Sequence, residues 1–143
     1  MMRAMLHVGL VAAAAALPGL AGCTGEKEQK STATYLLDRQ HGIWDNVRET
    51  LQSDSPNWNL LRTLNRAMTQ TLNRLDKDYA KPNKDEVRAK LEAIQKAFEE
   101  QVCSKADLSK AKATPKKGVK PEEIRAAFDK LDKDYQQLKE MTE

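Results

Sequence analysis

The chain carries 143 residues, with 24 Lys and Arg against 21 Asp and Glu, two cysteines and 5% aromatic residues. That length suits one domain with a core of its own, and two cysteines exclude a disulfide-stapled scaffold. A basic excess this small gives no reason to expect nucleic acid as a partner.

Arg3 is the only Lys, Arg, Asp or Glu before Glu26, and the stretch from Ala4 to Leu20 is almost wholly apolar. A basic start, a short apolar run and small residues at a cut make a secretory signal. Pro18 and Gly19 interrupt the run before it reaches the roughly 20 apolar residues that a membrane span needs. Leu20, Ala21 and Gly22 then stand directly before Cys23. With this lipobox the segment resembles the bacterial lipoprotein class, and the resemblance covers the signal alone.

Membership implies cleavage between Gly22 and Cys23, diacylation of the Cys23 sulfur, and acylation of the new terminal amine. Two or more chains anchor a protein stably, because each buried CH₂ contributes about 0.8 kcal/mol. The inner-membrane retention signal of the class is an aspartate after the cysteine, whereas Thr24 stands here. The resemblance thus implies a lipid-anchored protein of the cell envelope. In a diderm host its domain faces the periplasm from the outer membrane, and in a monoderm host it faces outward.

Without residues 1–22 the chain keeps 121 residues, and 23 basic side chains face 21 acidic ones. Residues 23–30 read as a lipidated polar tether, and 31–143 as a single helical domain. No glycine stands between Gly42 and Gly118, and no stretch alternates apolar and polar over strand length. Four segments show spacings of three and four instead.

The first helix, about 31–53, starts at Ser31 or Thr32, either of which can cap it. Leu37, Trp44, Val47 and Leu51 form its stripe, with Ile43 alongside. Gly42 weakens its middle by about 1 kcal/mol relative to alanine. After a break at Ser53-Asp54-Ser55-Pro56, the second helix is expected over about 56–80, with Ser55 as cap and Pro56 in its first turn. Its stripe is Leu61, Leu64, Met68, Leu72, Leu75 and Tyr79. Asn83 opens the third helix, about 84–104, with Glu86 placed as in a capping box. Val87, Leu91, Ile94, Phe98 and Val102 line it.

Residues 105–120 read as a basic loop, with Lys105, Lys110, Lys112, Lys116, Lys117 and Lys120 against Asp107 alone. Pro121-Glu122-Glu123 then opens the fourth helix, about 121–141, with proline and acids suited to a first turn. Ile124, Phe128, Leu131, Tyr135 and Leu138 form its stripe. Packed together, the four stripes predict an all-α fold, a small up-down four-helix bundle. Two alternatives keep the same helices: a three-helix core with a loosely attached first helix, or helical hairpins that dimerise.

Leu75-Asp76-Lys77-Asp78-Tyr79 recurs as Leu131-Asp132-Lys133-Asp134-Tyr135. Acids two apart on a helix point about 200° from each other, so neither pair converges on a cation. Convergent heptad composition explains the repeat better than duplication. His41 is the one histidine after the signal, and alone it builds no zinc site. Glu-x-x-His pairs and the Cys-x-x-Cys-His haem motif are absent. What remains for a cofactor is a haem held by His41 with Met68 or Met141, set against a rim histidine about 90° off its stripe.

Cys103 points about 140° from the centre of the third stripe. It is expected either exposed, as an intermolecular disulfide or a thiol activated by lysines, or tucked under the basic loop. Lys110, Lys112, Lys116 and Lys117 are candidate contacts for anionic headgroups or an acidic partner. Trp58 joins them if it is exposed.

No nucleophile has a motif-placed histidine, and no glycine-rich phosphate loop occurs. The expectation is a non-enzymatic envelope lipoprotein acting in protein interaction or scaffolding, with a protein partner or a homodimer. That reading predicts an exposed apolar or tryptophan patch, or a self-association seam, with no internal cavity. The alternative is a periplasmic haem or small-ligand carrier with a cavity near Met68 and His41.

Overall fold

Ser31 begins the described chain, residues 31–143 of the computed structural model, and caps the first helix by accepting the Thr34 backbone N–H on its Oγ at 3.1 Å. The expected signal, lipobox and lipidated Cys23 lie outside the described residues. Four helices follow: α1 (Thr32–Gln52), α2 (Asn59–Asp78), α3 (Lys84–Gln101) and α4 (Pro121–Thr142). Between α3 and α4 come a 3₁₀ turn, Cys103–Lys105, and two short strands, β1 (Ala106–Asp107) and β2 (Thr114–Pro115). The strands pair antiparallel, with Ala106 opposite Pro115 and Asp107 opposite Thr114.

Each helix packs on its neighbour in chain order, and α1 meets α4 to close the ring. Polar contacts give the directions. Ala33 at the start of α1 donates its N–H to Asp78 at the end of α2. Asp76 late in α2 pairs with Arg88 early in α3. Asn83, just before α3, donates to the Met141 carbonyl at the end of α4. Arg125 early in α4 donates to the Leu51 carbonyl at the end of α1. Every neighbouring pair is therefore antiparallel, which is the up-down four-helix bundle.

The apolar stripes meet along its axis. Leu37, Trp44, Val47 and Leu51 of α1 are buried with Leu61, Leu64, Met68 and Leu75 of α2, and with the full expected stripes of α3 and α4. The looser alternatives fail on this burial. Trp44 and Val47 are wholly inaccessible, so α1 is an integral wall, and the stripes are spent within one chain rather than offered to a second hairpin. Leu72 moves to the edge of the core while Thr71 takes the inward position, its hydroxyl donating to the Ala67 carbonyl.

Two boundaries and one cap differ from the expected ones. Helix α2 starts at Asn59, because Ser55 and Pro56 belong to the link that lays Trp58 on the core. Asn57 supplies the local acceptor there, its Oδ1 taking the Asn59 N–H at 3.1 Å. The capping box of α3 does not form, since the Asn83 side chain accepts from the Tyr79 hydroxyl and donates to the Met141 carbonyl instead. Helix α3 ends at Gln101, and the chain tightens into the 3₁₀ turn.

Asp78 acts across the bundle as a cap for α1, accepting the Ala33 N–H at 2.7 Å while Arg74 holds its other oxygen at 2.8 Å. These donors, from Ala33 first and then Arg74, outweigh desolvation and hold its carboxyl below the usual aspartate range. Asp78→Ala leaves orphan N–H groups at a helix start. It should lower the melting temperature by a few degrees and speed amide exchange at Ala33 before mid-helix amides respond.

Candidate functional site

Polar side chains concentrate on the seam between α1 and α4. Trp44 lies flat on Tyr135, with ring centroids 3.8 Å apart and planes 4° from parallel. Phe128 and Phe98 flank the indole at 4.6 and 6.2 Å. The indole N–H donates to Asp132 Oδ1 at 2.7 Å, and the same oxygen accepts from Arg48 at 2.7 Å and Gln136 at 3.0 Å. Desolvation alone would raise the Asp132 pKa, but the bonds from Arg48, Trp44 and Gln136 bring it below the usual value. Asp45 pairs with Arg48 at 3.1 Å and lies 3.9 Å from Lys139 of α4.

One turn earlier on α1, Gln40 is wholly buried and donates its amide to the Tyr135 hydroxyl at 3.1 Å. That hydroxyl lies 2.6 Å from His41 Nδ1, and His41 Nε2 lies 2.9 Å from the Thr142 hydroxyl. Thr142 in turn donates to the Lys139 carbonyl at 2.9 Å. The donors run in one order: Gln40 to Tyr135, Tyr135 to Nδ1, Nε2–H to Thr142, Thr142 to Lys139. This order suits a neutral imidazole with its proton on Nε2. Gln40 Oε1 is buried and accepts no hydrogen bond.

His41 is thus a structural link between α1 and the last turn of α4. Burial, then the Lys139 charge, push its pKa below the ordinary value of 6.5, against weaker pulls from Asp38, Asp45 and Glu143. A histidine depressed in the native state adds stability above its unfolded pKa, which is lost as pH falls through the native value. Stability should therefore drop as pH is lowered from about 6.5, and His41→Gln should flatten that part of a pH series of melting curves. A slope unchanged by the substitution would show that the ring titrates as it does unfolded.

Both His41 nitrogens are engaged, and Met68 is fully buried among core side chains. No cavity opens among the described residues, and no group of three His, Cys, Asp or Glu there could hold a metal ion. The carrier reading gains no observation from this interior.

Cys103 is half-buried and packs against the core. The helical angular count fails here because the residue opens a 3₁₀ turn, which swings its side chain inward. Burial, with the Glu99 charge adding to it, pushes the thiol up to about 12. Of the two placements expected for Cys103, the covered one is what the fold has. Thiol reagents should label native Cys103 at least about 100-fold more slowly than the unfolded chain near neutral pH. Equal rates would contradict its burial.

Trp58 is likewise half-buried against the core, not an exposed contact. Among the described residues Tyr35, 61% exposed, is the one large hydrophobic left open. The expected tryptophan patch is therefore not formed, since Trp44 is buried and Trp58 packs on the core. Lys110, Lys112, Lys116 and Lys117 are all exposed, but the segment carrying them is built rather than loose. Arg62 of α2 donates to the carbonyls of Leu108 and Lys110 at 3.0 and 2.7 Å. Asn59 accepts the Ala113 N–H at 2.8 Å, and Ala106 and Ala113 are buried. Gly118, at φ +84°, makes the turn into α4 that a Cβ would strain.

Comparison with known proteins finds no match among family models, curated proteins or solved structures.

Proposed function

We propose that the chain is a membrane-anchored envelope lipoprotein whose helical domain works non-enzymatically, in protein interaction or scaffolding. The observation that carries this reading is the lipobox Leu20-Ala21-Gly22-Cys23 behind a short apolar run. The bundle supports it from the other side. His41, Cys103 and Asp132, the side chains best suited to chemistry, are used in holding helices together or packing the core. With Trp58 folded inward, Tyr35 is the one large hydrophobic that the described surface offers a partner. No helix among the described residues is long and apolar enough to cross a membrane; on the proposed reading, acyl chains at Cys23 are the attachment.

Fractionation of a bacterium expressing the full chain tests this. The chain should sediment with membranes and resist extraction by high salt, and Cys23→Ser should abolish that behaviour. Membrane association that survives the substitution would remove the lipid anchor from the proposal.

A further inference from the structure

Residues 105–120 present their lysines on a hairpin whose backbone is already held by Arg62 and Asn59. The ammonium groups of Lys105, Lys112, Lys116, Lys117 and Lys120 make no hydrogen bond or ion pair among the described residues. Asp107, the only acid in the segment, does little to neutralise them. Its Oδ1 accepts the N–H and hydroxyl of Ser109, and its Oδ2 stands 3.6 Å from Lys110. The acids nearest in sequence, Glu99, Glu100, Glu122 and Glu123, lie on the flanking helices.

The chemistry of the patch selects among polyanions. Every basic residue of the hairpin is lysine, a compact point charge that asks no fixed geometry of its anion, and clusters of such charges suit the diffuse field of an anionic bilayer. The nearby arginines, Arg62 and Arg125, are spent on backbone carbonyls. A protein partner would want an aromatic or aliphatic anchor. The hairpin offers none, because Leu108 and Val119 pack on the core.

We propose that this hairpin is a second membrane contact, whose ammonium groups bind the phosphate headgroups of an anionic bilayer. That the bilayer is the one holding Cys23 rests on the lipoprotein reading. The hairpin sits at the end of the bundle opposite Ser31, about 30 Å away along helices of this length. A bundle lying along the surface then sets the hairpin on the headgroups. Each lysine brought to an anionic surface strengthens association by about fivefold.

The test uses the full chain reconstituted with phosphatidylcholine vesicles, with and without phosphatidylglycerol, and reads lysine acylation rates by mass spectrometry. On the anionic vesicles Lys110, Lys112, Lys116 and Lys117 should react about fivefold or more slowly than the exposed helical Lys96 and Lys130. High salt should erase the difference, and neutral vesicles should not produce it. Lys112→Gln combined with Lys116→Gln and Lys117→Gln should expose Lys110 again while leaving the melting temperature unchanged. Equal rates on both vesicle types would overturn the proposal, as would protection by soluble polyglutamate and not by vesicles, which would indicate an acidic protein. A chain that fails to associate with neutral vesicles would count against the lipid anchor alone, since the anionic arm still reads the hairpin.

Discussion

Trp44→Ala is expected to lower the unfolding free energy by about 3–5 kcal/mol, the range for deleting a buried large aromatic side chain. The melting temperature should fall by at least about 10 °C. The indole is wholly buried at the junction of α1, α3 and α4, stacked on Tyr135 and flanked by Phe128 and Phe98. The space it leaves is walled by these three rings, and Asp132 loses a donor at the same time. Trp44→Phe keeps part of the volume and should cost less. Thermal and urea unfolding of the two variants would give the ordering, and a loss below about 1 kcal/mol for the alanine would contradict a packed α1 wall.

Asp132→Ala is expected to cost about 2 kcal/mol, because it strands the buried Trp44 N–H and one end of Arg48 at once. Asp134→Ala, two residues on in the same repeated pentapeptide, should stay within about 0.5 kcal/mol, since Asp134 is exposed. Asp132 also adds to acid sensitivity. Its pKa is depressed in the native state, so its stabilisation is present above the unfolded aspartate value and is lost as pH falls through the lower native one. Denaturant titrations near pH 7 and at acid pH should show the gap between wild type and Asp132→Ala shrinking with acid. A gap that widened would reverse the assigned role of the carboxylate.

The two copies of the pentapeptide also show what the pattern could and could not reveal. In one copy the fourth residue, Asp78, caps α1, and in the other the second residue, Asp132, holds Trp44 and Arg48. The recurrence is heptad composition, and the working member is chosen by what stands opposite on α1. That choice is tertiary, and spacing along one helix does not contain it.

The helices themselves were legible, because buried stripes repeat every three or four residues and each of the four does so. Gln40 is the instructive omission. Leu37 and Trp44 are seven apart, and the inward position between them falls on residue 40 whatever its polarity. Thr71 hides in the same way beside the more apolar Leu72. A gap in the stripe marks Gln40, whereas Leu72 completes its stripe and so conceals Thr71; neither hydrogen bond is written in the spacing.

The hairpin was not legible as structure. Strands of two residues are too short to alternate, and its order comes from Arg62 and Asn59, far away in sequence. Ala106 and Ala113 among the lysines were the only local hint of a buried side. The angle expected for Cys103 assumed an α-helix continuing past Gln101, and the 3₁₀ turn broke that assumption. The proposed lipobox, by contrast, rests on local residues alone and needs no fold.

The most direct test of the central proposal is the intact mass of the chain purified from the membranes of a bacterium that expresses it. The expected mass is that of a polypeptide beginning at Cys23 and carrying two or three acyl chains, with Cys23→Ala yielding no acylated species. An unacylated chain, whether it begins at Met1 or at a cut elsewhere, would contradict the lipoprotein assignment.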